Sequence, residues 1–366
     1  MVAIVTEKFR LHNAAQFKES FSEASASTYY MLIGKPTAFD SDTSGGTDTS
    51  PPTPNDDVSS EFHVWDSAIG AKKISSGDVS NVVPRRNWTN GTIYDMYEHD
   101  ISSTNTSQSG ASNLYDATFF FMSSTNKVYK VLDNNGGTAY SGTEPTSTSN
   151  SPFKLGGYIL KYMYTVSASD EAKFFTSDFI PAITDSTVSA NATDGAIESI
   201  IVTAGTGQTD GTYFTPVYGD GANAGKTTGA ILKLVISSGA IASFGLTDGT
   251  DSTIHSAGTE YTFATVNLAS GYTFSDAALT TAAAIGGSGG AVKVIISPKG
   301  GHGFNAINEL GGHFVMARVT MTGAENDDIS AGNDFRNLAL CIDPTTFGTS
   351  TIASDSTTRL SYAVKL

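Results

Sequence analysis

Cysteine is almost absent from this chain of 366 residues, which has one cysteine, two tryptophans and only 16% charged residues. A lone cysteine cannot form an internal disulfide, and without partner cysteines it cannot build a thiolate zinc site. Cys341 falls within an apolar strand pattern, where a buried and unreactive thiol is expected. This cysteine usage is typical of a protein that folds in the reducing cytoplasm.

Long apolar runs are also missing from the sequence. No stretch reaches the 18 or so apolar residues that a membrane-spanning helix needs, and candidates such as residues 231–236 have the length of a strand. The first five residues are followed at once by Glu7, Lys8 and Arg10, so the apolar region of a signal peptide is not expected.

Basic residues are scarce, since 21 Lys and Arg face 36 Asp and Glu, which gives a formal net charge of −15. Such a field repels phosphate and anionic membrane surfaces, so a general nucleic-acid binder is excluded. Glycine is abundant instead: 37 glycines and 11 prolines interrupt short apolar runs and favour β structure over long helices.

The pattern of apolar and turn residues predicts a mainly β fold, with β-sandwich-type domains, long loops and a short N-terminal helix. The helix is predicted to be capped by Asn13 and to end near Ala24. Strands are expected at residues 28–33, 118–122, 127–132, 158–166, 313–321, 337–342 and 359–366, and the second and third should form a hairpin. Polar stretches at residues 39–60, 102–113 and 134–151 predict surface loops.

An internal repeat lies in the part of the chain that is poorest in charge. Gly195-Ala-Ile-Glu-Ser-Ile-Ile-Val-Thr-Ala-Gly-Thr206 aligns with Gly239-Ala-Ile-Ala-Ser-Phe-Gly-Leu-Thr-Asp-Gly-Thr250, with seven identical positions and an offset of 44 residues. Further on, Ala230-Ile-Leu-Lys-Leu-Val-Ile-Ser237 matches Gly290-Ala-Val-Lys-Val-Ile-Ile-Ser297. One copy is too small to bury its apolar face, whereas two stacked copies could do so.

These observations predict two parts. Residues 191–297 would be an inserted, duplicated all-β module with copies at about 195–238 and 239–297. Residues 1–190 and 298–366 would together form the main β core. The strands and loops of that core have a denser apolar texture than the inserted module.

Motifs for catalysis are weak. The stretch 220–227 resembles a phosphate-binding loop but starts with Asp220 and precedes a strand, so a repeat loop is the better interpretation. Gly286-Gly-Ser-Gly-Gly290 matches a nucleophile elbow but also opens onto a strand, which favours a flexible loop. The stretch 94–100 concentrates three carboxylates and an imidazole, those of Asp95, Glu98, Asp100 and His99. These groups could bind a metal or transfer protons, although a solvated strand end fits them better.

Two further histidines, His302 and His313, lack the spacing of helical zinc ligands, so structural or surface roles are expected for them. No metal, cofactor or catalytic residue is predicted. The protein is therefore not expected to be an enzyme.

A basic cluster stands out in this acidic chain: Arg85 and Arg86 lie next to each other and close to Trp88. Arginine pairs with carboxylates through two parallel hydrogen bonds and stacks on indole rings. The three residues could bind a partner protein, or they could tie a loop to the core of their own protein. Sequence alone leaves both alternatives open.

Several segments in a shared order resemble one known family, the dimeric baseplate wedge protein of T-even-type contractile-tailed phages and their cyanobacterial-virus relatives. They are Ile4-Val-Thr-Glu-Lys-Phe-Arg10, Val82-Val-Pro-Arg-Arg-Asn-Trp88, Val128-Tyr-Lys-Val-Leu-Asp133 with Pro145-Thr146, Gly157-Tyr158, Lys161-Tyr162, Phe174-Phe-Thr-Ser-Asp-Phe-Ile-Pro181, Gly301-His-Gly-Phe304, Glu309-Leu-Gly-Gly312 and Asp334-Phe-Arg-Asn337. The resemblance covers residues 1–185 and 298–366. The chain departs from the pattern at residues 156–160, where Asp-Gly-Tyr-x-Trp is expected.

The resemblance implies a structural protein of the virion rather than an enzyme. Such proteins form homodimers, join neighbouring wedge and tail proteins, and belong to a baseplate that is assembled in the host cytoplasm and rearranges on attachment. Arg85, Arg86 and Trp88 would then contact neighbouring subunits.

Two other functions stay open at this point. The Gly- and Thr-rich repeats also suit a trimeric, host-binding tail spike or adhesin. A tail enzyme that degrades polysaccharide would need paired carboxylates in a groove.

Overall fold

A computed structural model describes residues 5–40, 46–53, 64–247, 249–275, 278–320, 335–353 and 360–361. The protein is mainly β, with several antiparallel sheets and a short N-terminal helix, as the sequence predicts. The predicted loop at residues 39–60 and the predicted strands at residues 313–321 and 359–366 lie partly outside the described residues.

The helices of the described residues are short. They are α1 Glu7–Glu19, α2 Ala168–Phe174, α3 Ser186–Ala190 and α4 Ala306–Glu309, with 3-10 turns at Ser76–Asp78 and Leu114–Asp116. The predicted bounds of α1 are wrong, because the Thr6 side chain accepts a hydrogen bond from the Phe9 amide and caps the helix seven residues before Asn13. Glu7 in the first turn and Lys18 in the last suit the helix dipole.

The strands follow the apolar runs of the sequence. In chain order they are β1 Tyr29–Gly34, β2 Ala68–Ile74, β3 Val79–Pro84, β4 Phe120–Met122, β5 Lys127–Asp133, β6 Phe153–Leu155, β7 Tyr158–Thr165, β8 Phe179–Pro181, β9 Ile197–Thr203, β10 Thr206–Gln208, β11 Gly211–Gly219, β12 Ile231–Ser237, β13 Ala240–Ile241, β14 Thr253–Ser256, β15 Ala264–Val266, β16 Ser270–Ser275, β17 Ala278–Ala284, β18 Gly286–Ser288, β19 Ala291–Ile296, β20 Phe314–Ala317, β21 Asn337–Ile342, β22 Thr345–Thr346 and β23 Leu360–Ser361.

The chain forms two compact units, and the first consists of Met1–Val82 with His313–Leu366. In it β1 pairs with β2 on one side and with β21 on the other, both antiparallel. The rings of Phe17, Phe21 and Tyr29 pack together, with ring centroids 4.2 to 5.9 Å apart. Cys341 on β21 is half-buried rather than fully buried, and burial raises the pKa of its thiol.

The second unit is Val83–Gly312. Its first sheet has the order β4-β5-β7-β6, and the predicted hairpin is formed by β4 and β5. Gly156 and Gly157 make the tight turn between β6 and β7, with φ angles of +61° and +88°. A side chain on Gly156 would lie 2.5 Å from the Tyr140 ring, so both conformation and space require glycine there.

The repeat region lies wholly within this second unit, and its separation as a domain of residues 191–297 stays a prediction. Its main sheet has the order β13-β12-β11-β16-β17, while β14 also pairs with β12 and β15 with β11. The segment 286–290 is not a flexible loop as predicted, because β18 pairs with β10. A side chain on Gly287 would meet the Gln208 amide nitrogen and the Thr206 carbonyl oxygen at 2.6 Å.

The two predicted copies exchange strands. Ile197 and Ile241 occupy the same position in the two copies, and so do Ile236 and Ile296. Ile197 pairs with Ile296 across β9 and β19, whereas Ile241 pairs with Ile236 across β13 and β12. The first strand of each copy therefore pairs with the last strand of the other in an equivalent register. Neither copy alone would supply both partners.

Candidate functional site

Two lysines lie buried on neighbouring strands of the second unit. Lys130 on β5 pairs directly with Lys161 on β7, and their side chains are 0% and 2% exposed. Like charges at such a cross-strand position repel each other, and a buried ammonium group is costly unless it is paired. The surrounding chain must therefore supply acidic or other accepting groups at this place.

Lys130 finds its partners in a segment more than 170 residues away. Its Nζ donates to Oε2 of Glu309 at 2.9 Å and lies 2.8 Å from Nδ1 of His302. The same ammonium sits 3.8 Å from the centre of the Tyr97 ring. Burial lowers the pKa of Lys130, while the Glu309 carboxylate opposes this effect.

Glu309 also organises the loop that carries His302. Its Oε1 accepts hydrogen bonds from the Gly303 amide at 2.8 Å and the Asn305 amide at 3.2 Å. Gly301 and Gly303 have φ angles of +95° and +93°, which glycine adopts readily. A side chain on Gly301 would also meet the Thr193 backbone at 2.4 Å. The loop can therefore approach the strands closely enough to place Glu309 and His302 against Lys130.

His302 is fully buried and its ring lies edge-on to that of Tyr97, with centroids 5.0 Å apart. Its Nε2 has no hydrogen-bond partner among the residues that the structure describes. Burial, together with the charges of Lys130 and Lys161, holds the pKa of His302 well below its ordinary value of 6.5. The imidazole is therefore neutral at neutral pH.

We expect this histidine to make the protein less stable as the pH falls below about 6.5. In that range the unfolded chain takes up a proton that the folded protein does not, so unfolding becomes easier by up to about 1.4 kcal/mol per pH unit. The stabilisation is complete above the unfolded pKa and is lost below it. Urea unfolding between about pH 7.5 and 5 should show a shallower pH dependence in His302→Gln.

The matched control for this measurement is His12→Gln, which removes an exposed histidine from α1. If the pH dependence of unfolding in His302→Gln equals that of the wild type, His302 is not held neutral in the folded protein.

The second lysine has a looser ion pair. Lys161 Nζ lies 3.8 Å from Oε1 of Glu198 on β9, a residue of the repeat region. Burial raises the pKa of Glu198, although Lys161 and Lys130 both oppose this effect. Two lysines and two glutamates thus lie in one cluster, in which Glu198 is the most exposed of the four, at 24%. We call Lys130, Lys161, Glu198, His302 and Glu309 the ionic cluster.

No sequence pattern assembles this cluster, although all five of the segments that contain its residues were singled out. His302 was considered as a metal ligand and given a structural role, while the two lysines and Glu309 were quoted only as parts of motifs. One signal was visible: Lys130 and Lys161 each interrupt an apolar strand that is otherwise buried. A lysine in such a run needs a buried partner.

The other candidates also make internal contacts. Glu98 and Asp100 both pair with Lys293 Nζ on β19, at 2.7 and 2.9 Å. His99 Nδ1 accepts the Ile296 amide at 3.1 Å, and burial lowers the pKa of His99. The stretch 94–100 is not a strand, which corrects the strand end predicted for it.

No group of three or more His, Cys, Asp or Glu side chains suited to a metal occurs in the described ranges. His302 belongs to the second unit and His313 to the first. Residues 220–229 form turns before β12, as the repeat-loop interpretation predicts. Asp220 anchors this loop by accepting the amides of Thr262 and Phe263.

Arg86 uses its guanidinium inside the protein. Nη1 donates to the Ala117 carbonyl at 2.5 Å, and Nη2 donates to the carbonyls of Tyr115 at 3.1 Å and Asp116 at 3.4 Å. The guanidinium also stacks over the Phe120 ring at 4.5 Å. Burial lowers the pKa of Arg86 to about 10, so it remains charged at neutral pH. These contacts tie the segment after β3 to the 3-10 turn Leu114–Asp116 and the start of β4.

Arg85 and Trp88 make fewer hydrogen bonds within the protein than Arg86 does. Arg85 donates to the Thr176 carbonyl at 2.9 Å and to Asn87 Oδ1 at 3.1 Å, and stacks near Phe175. Trp88 packs edge-on against Tyr140, and its Nε1 is buried with no acceptor in the described part of the chain. The three residues thus contact three different segments of the second unit. Contact with a partner protein stays a prediction for them.

The first part of the chain matches a known family model. Residues 3–148 match the family model Phage-Gp8, described as Bacteriophage T4, Gp8. No match was found among curated proteins. The matched region contains the arginine cluster and Lys130, whereas Lys161, His302 and Glu309 lie beyond it. None of the described helices is long and apolar enough to cross a membrane.

The match agrees with the resemblance carried by the first segments of the chain, from residues 4–10 to residues 145–146. The match over residues 3–148 supports a T4-type baseplate wedge protein, a structural component of the bacteriophage tail baseplate.

Proposed function

We propose that the protein is a homodimeric subunit that links neighbouring wedge proteins during baseplate assembly and rearrangement. The observation that carries this proposal is the family match over residues 3–148. A two-fold dimer presents the same surface from both copies, so each dimer can offer two equivalent sites to its neighbours.

We further propose that the protein acts by shape and charge rather than by catalysis. The ionic cluster holds titratable groups, but Lys130, His302 and Glu309 are buried and bonded to one another. A catalytic group must reach its substrate directly or through one water. Because these three residues are enclosed, their contacts serve to hold a distant loop against the sheet, which favours a rigid structural part.

Arg85 is the better candidate of the two arginines for contact with a neighbouring subunit. Arg86 donates to three carbonyl groups of its own protein, whereas Arg85 makes two hydrogen bonds at the surface. Surface arginines are common at the centres of protein interfaces. Trp88 offers less to a partner, because its Nε1 is buried.

The mass in solution tests the proposal. Light scattering coupled to gel filtration should give about 76 kDa, twice the chain mass of 38.2 kDa. A mass near 115 kDa, three chains, would contradict the dimer and favour a trimeric tail spike. Purified neighbouring wedge proteins should then shift the 76 kDa species to a larger complex, and no shift would contradict the linking role.

A further inference from the structure

A cavity of about 340 Å³ opens beside the ionic cluster in the second unit. Its walls are mostly apolar and include Pro152, Ile197, Phe244, Leu246 and Ile254. Leu246 is 42% exposed, a high value for a leucine beside an apolar cavity. Glu198 is the one carboxylate among the residues that line this cavity in the described part of the chain.

The Glu198 carboxylate has unused capacity for hydrogen bonds. Its side chain is 24% exposed, and its ion pair with Lys161 is 3.8 Å long, beyond hydrogen-bond distance. A carboxylate offers about four acceptor positions, and no hydrogen bond to this one is formed by the described residues. Glu198 therefore differs from Glu309, whose two oxygens both accept hydrogen bonds.

The nearby lysines do not fully balance the negative charge of Glu198. Lys130 is held by Glu309 at 2.9 Å, which leaves Lys161 as the nearest cation to Glu198. Burial nevertheless raises the pKa of Glu198 with both lysines present, so they do not offset the loss of water. A further positive donor within hydrogen-bond distance would stabilise this carboxylate.

We propose that this cavity receives an arginine side chain of a partner protein, whose guanidinium pairs with Glu198. The apolar walls suit the methylene stem of an arginine, and its planar fork matches a carboxylate through two parallel hydrogen bonds. The net charge of −15 favours a basic partner surface. The inference rests on the proposed function as a subunit that binds other baseplate proteins.

A peptide titration with the full chain tests the pocket. The probe is acetyl-Gly-Arg-Gly-amide, measured by isothermal titration calorimetry at low ionic strength, where we expect a Kd of about 1 mM. Glu198→Gln keeps the shape of the side chain but removes its charge, and should weaken binding about tenfold. Replacing the arginine with citrulline, which is uncharged and almost the same shape, should weaken binding similarly.

Two more variants keep the test independent of folding. Glu260→Gln removes one charge from an exposed residue that does not line the cavity, and should bind the peptide as the wild type does. Leu246→Ala removes an exposed apolar wall and should weaken binding without a change in the melting temperature. If Glu198→Gln fails to fold, Leu246→Ala and the citrulline peptide still test whether the cavity binds an arginine side chain.

Three results would overturn the proposal. They are the absence of binding by the arginine peptide, equal binding of the citrulline peptide, and equal weakening by Glu260→Gln, which would indicate general attraction to an acidic protein. The mass measurement and the peptide titration fail separately. A dimer that does not bind the peptide would support the proposed function and contradict the arginine pocket. A trimer that binds the peptide would contradict the proposed function and support the pocket.

Discussion

Lys130→Met should destabilise the protein by about 3–5 kcal/mol, because it leaves the buried Glu309 carboxylate without its partner. It also removes the ammonium group beside His302 and Tyr97. The methionine fills most of the same volume, so the loss comes from charge and hydrogen bonding rather than from a cavity. Urea unfolding followed by circular dichroism measures the effect.

The control for this prediction is Lys127→Met on the same strand. Lys127 is half-exposed and donates to Thr125 Oγ1 at 3.2 Å, so its loss should change stability by no more than about 0.5 kcal/mol. The double variant Lys130→Met with Glu309→Gln should be less destabilised than the sum of the single variants, since no uncompensated charge remains. Wild-type stability in Lys130→Met would show that the pair does not hold the loop to the sheet.

Arg86→Ala should destabilise the protein by about 3 kcal/mol, the second largest effect expected here. The change leaves the carbonyls of Tyr115, Asp116 and Ala117 without their donor and removes the stack over Phe120. Arg86→Lys should recover only part of this loss, because an ammonium group cannot reproduce the planar fork. Thermal and urea unfolding of both variants provide the measurement.

Arg85→Ala is the matched control at the neighbouring position. It breaks two surface hydrogen bonds and should lower stability by about 1 kcal/mol or less. A normally stable Arg86→Ala that no longer joins neighbouring wedge proteins would instead make Arg86 a partner contact. That outcome would contradict its role as an internal clamp that holds the segment after β3 against residues 115–120.

Most strands could be predicted from the sequence because their signals are local. The apolar runs at residues 127–132 and 158–166 have the length of strands, and the structure places β5 and β7 there. Residues 337–342 form β21 with the predicted bounds. A strand needs only a short run of suitable side chains between turn residues, so few distant contacts are required to predict it.

The helix start was misjudged for an equally local reason. Thr6 and Asn13 are both suitable N-cap residues, and helix propensity alone does not choose between them. Thr6 caps the helix in the structure, and the helix ends at Glu19. The Ser20 hydroxyl lies 2.9 Å from the Tyr29 hydroxyl on β1, a contact outside the helix that no local pattern shows.

The ionic cluster depends on contacts that no local pattern contains. Lys130 lies 172 residues from His302 and 179 residues from Glu309, and each residue by itself has an ordinary surface interpretation. The exchange of strands between the repeat copies is similar, because the alignment shows that the copies are equivalent but not which strands pair. Register and pairing are set by burial of whole faces in the folded protein.

Composition and local pattern were therefore enough to predict a mainly β, acidic protein without a catalytic motif, because these properties are sums over short segments. The tertiary structure alone decided that Arg86 points inward, that Lys130 meets Glu309, and that Glu198 borders an apolar cavity. Each of these features depends on which distant segments pack together. A charged group is stable in a core only when a group that pairs with it is buried beside it.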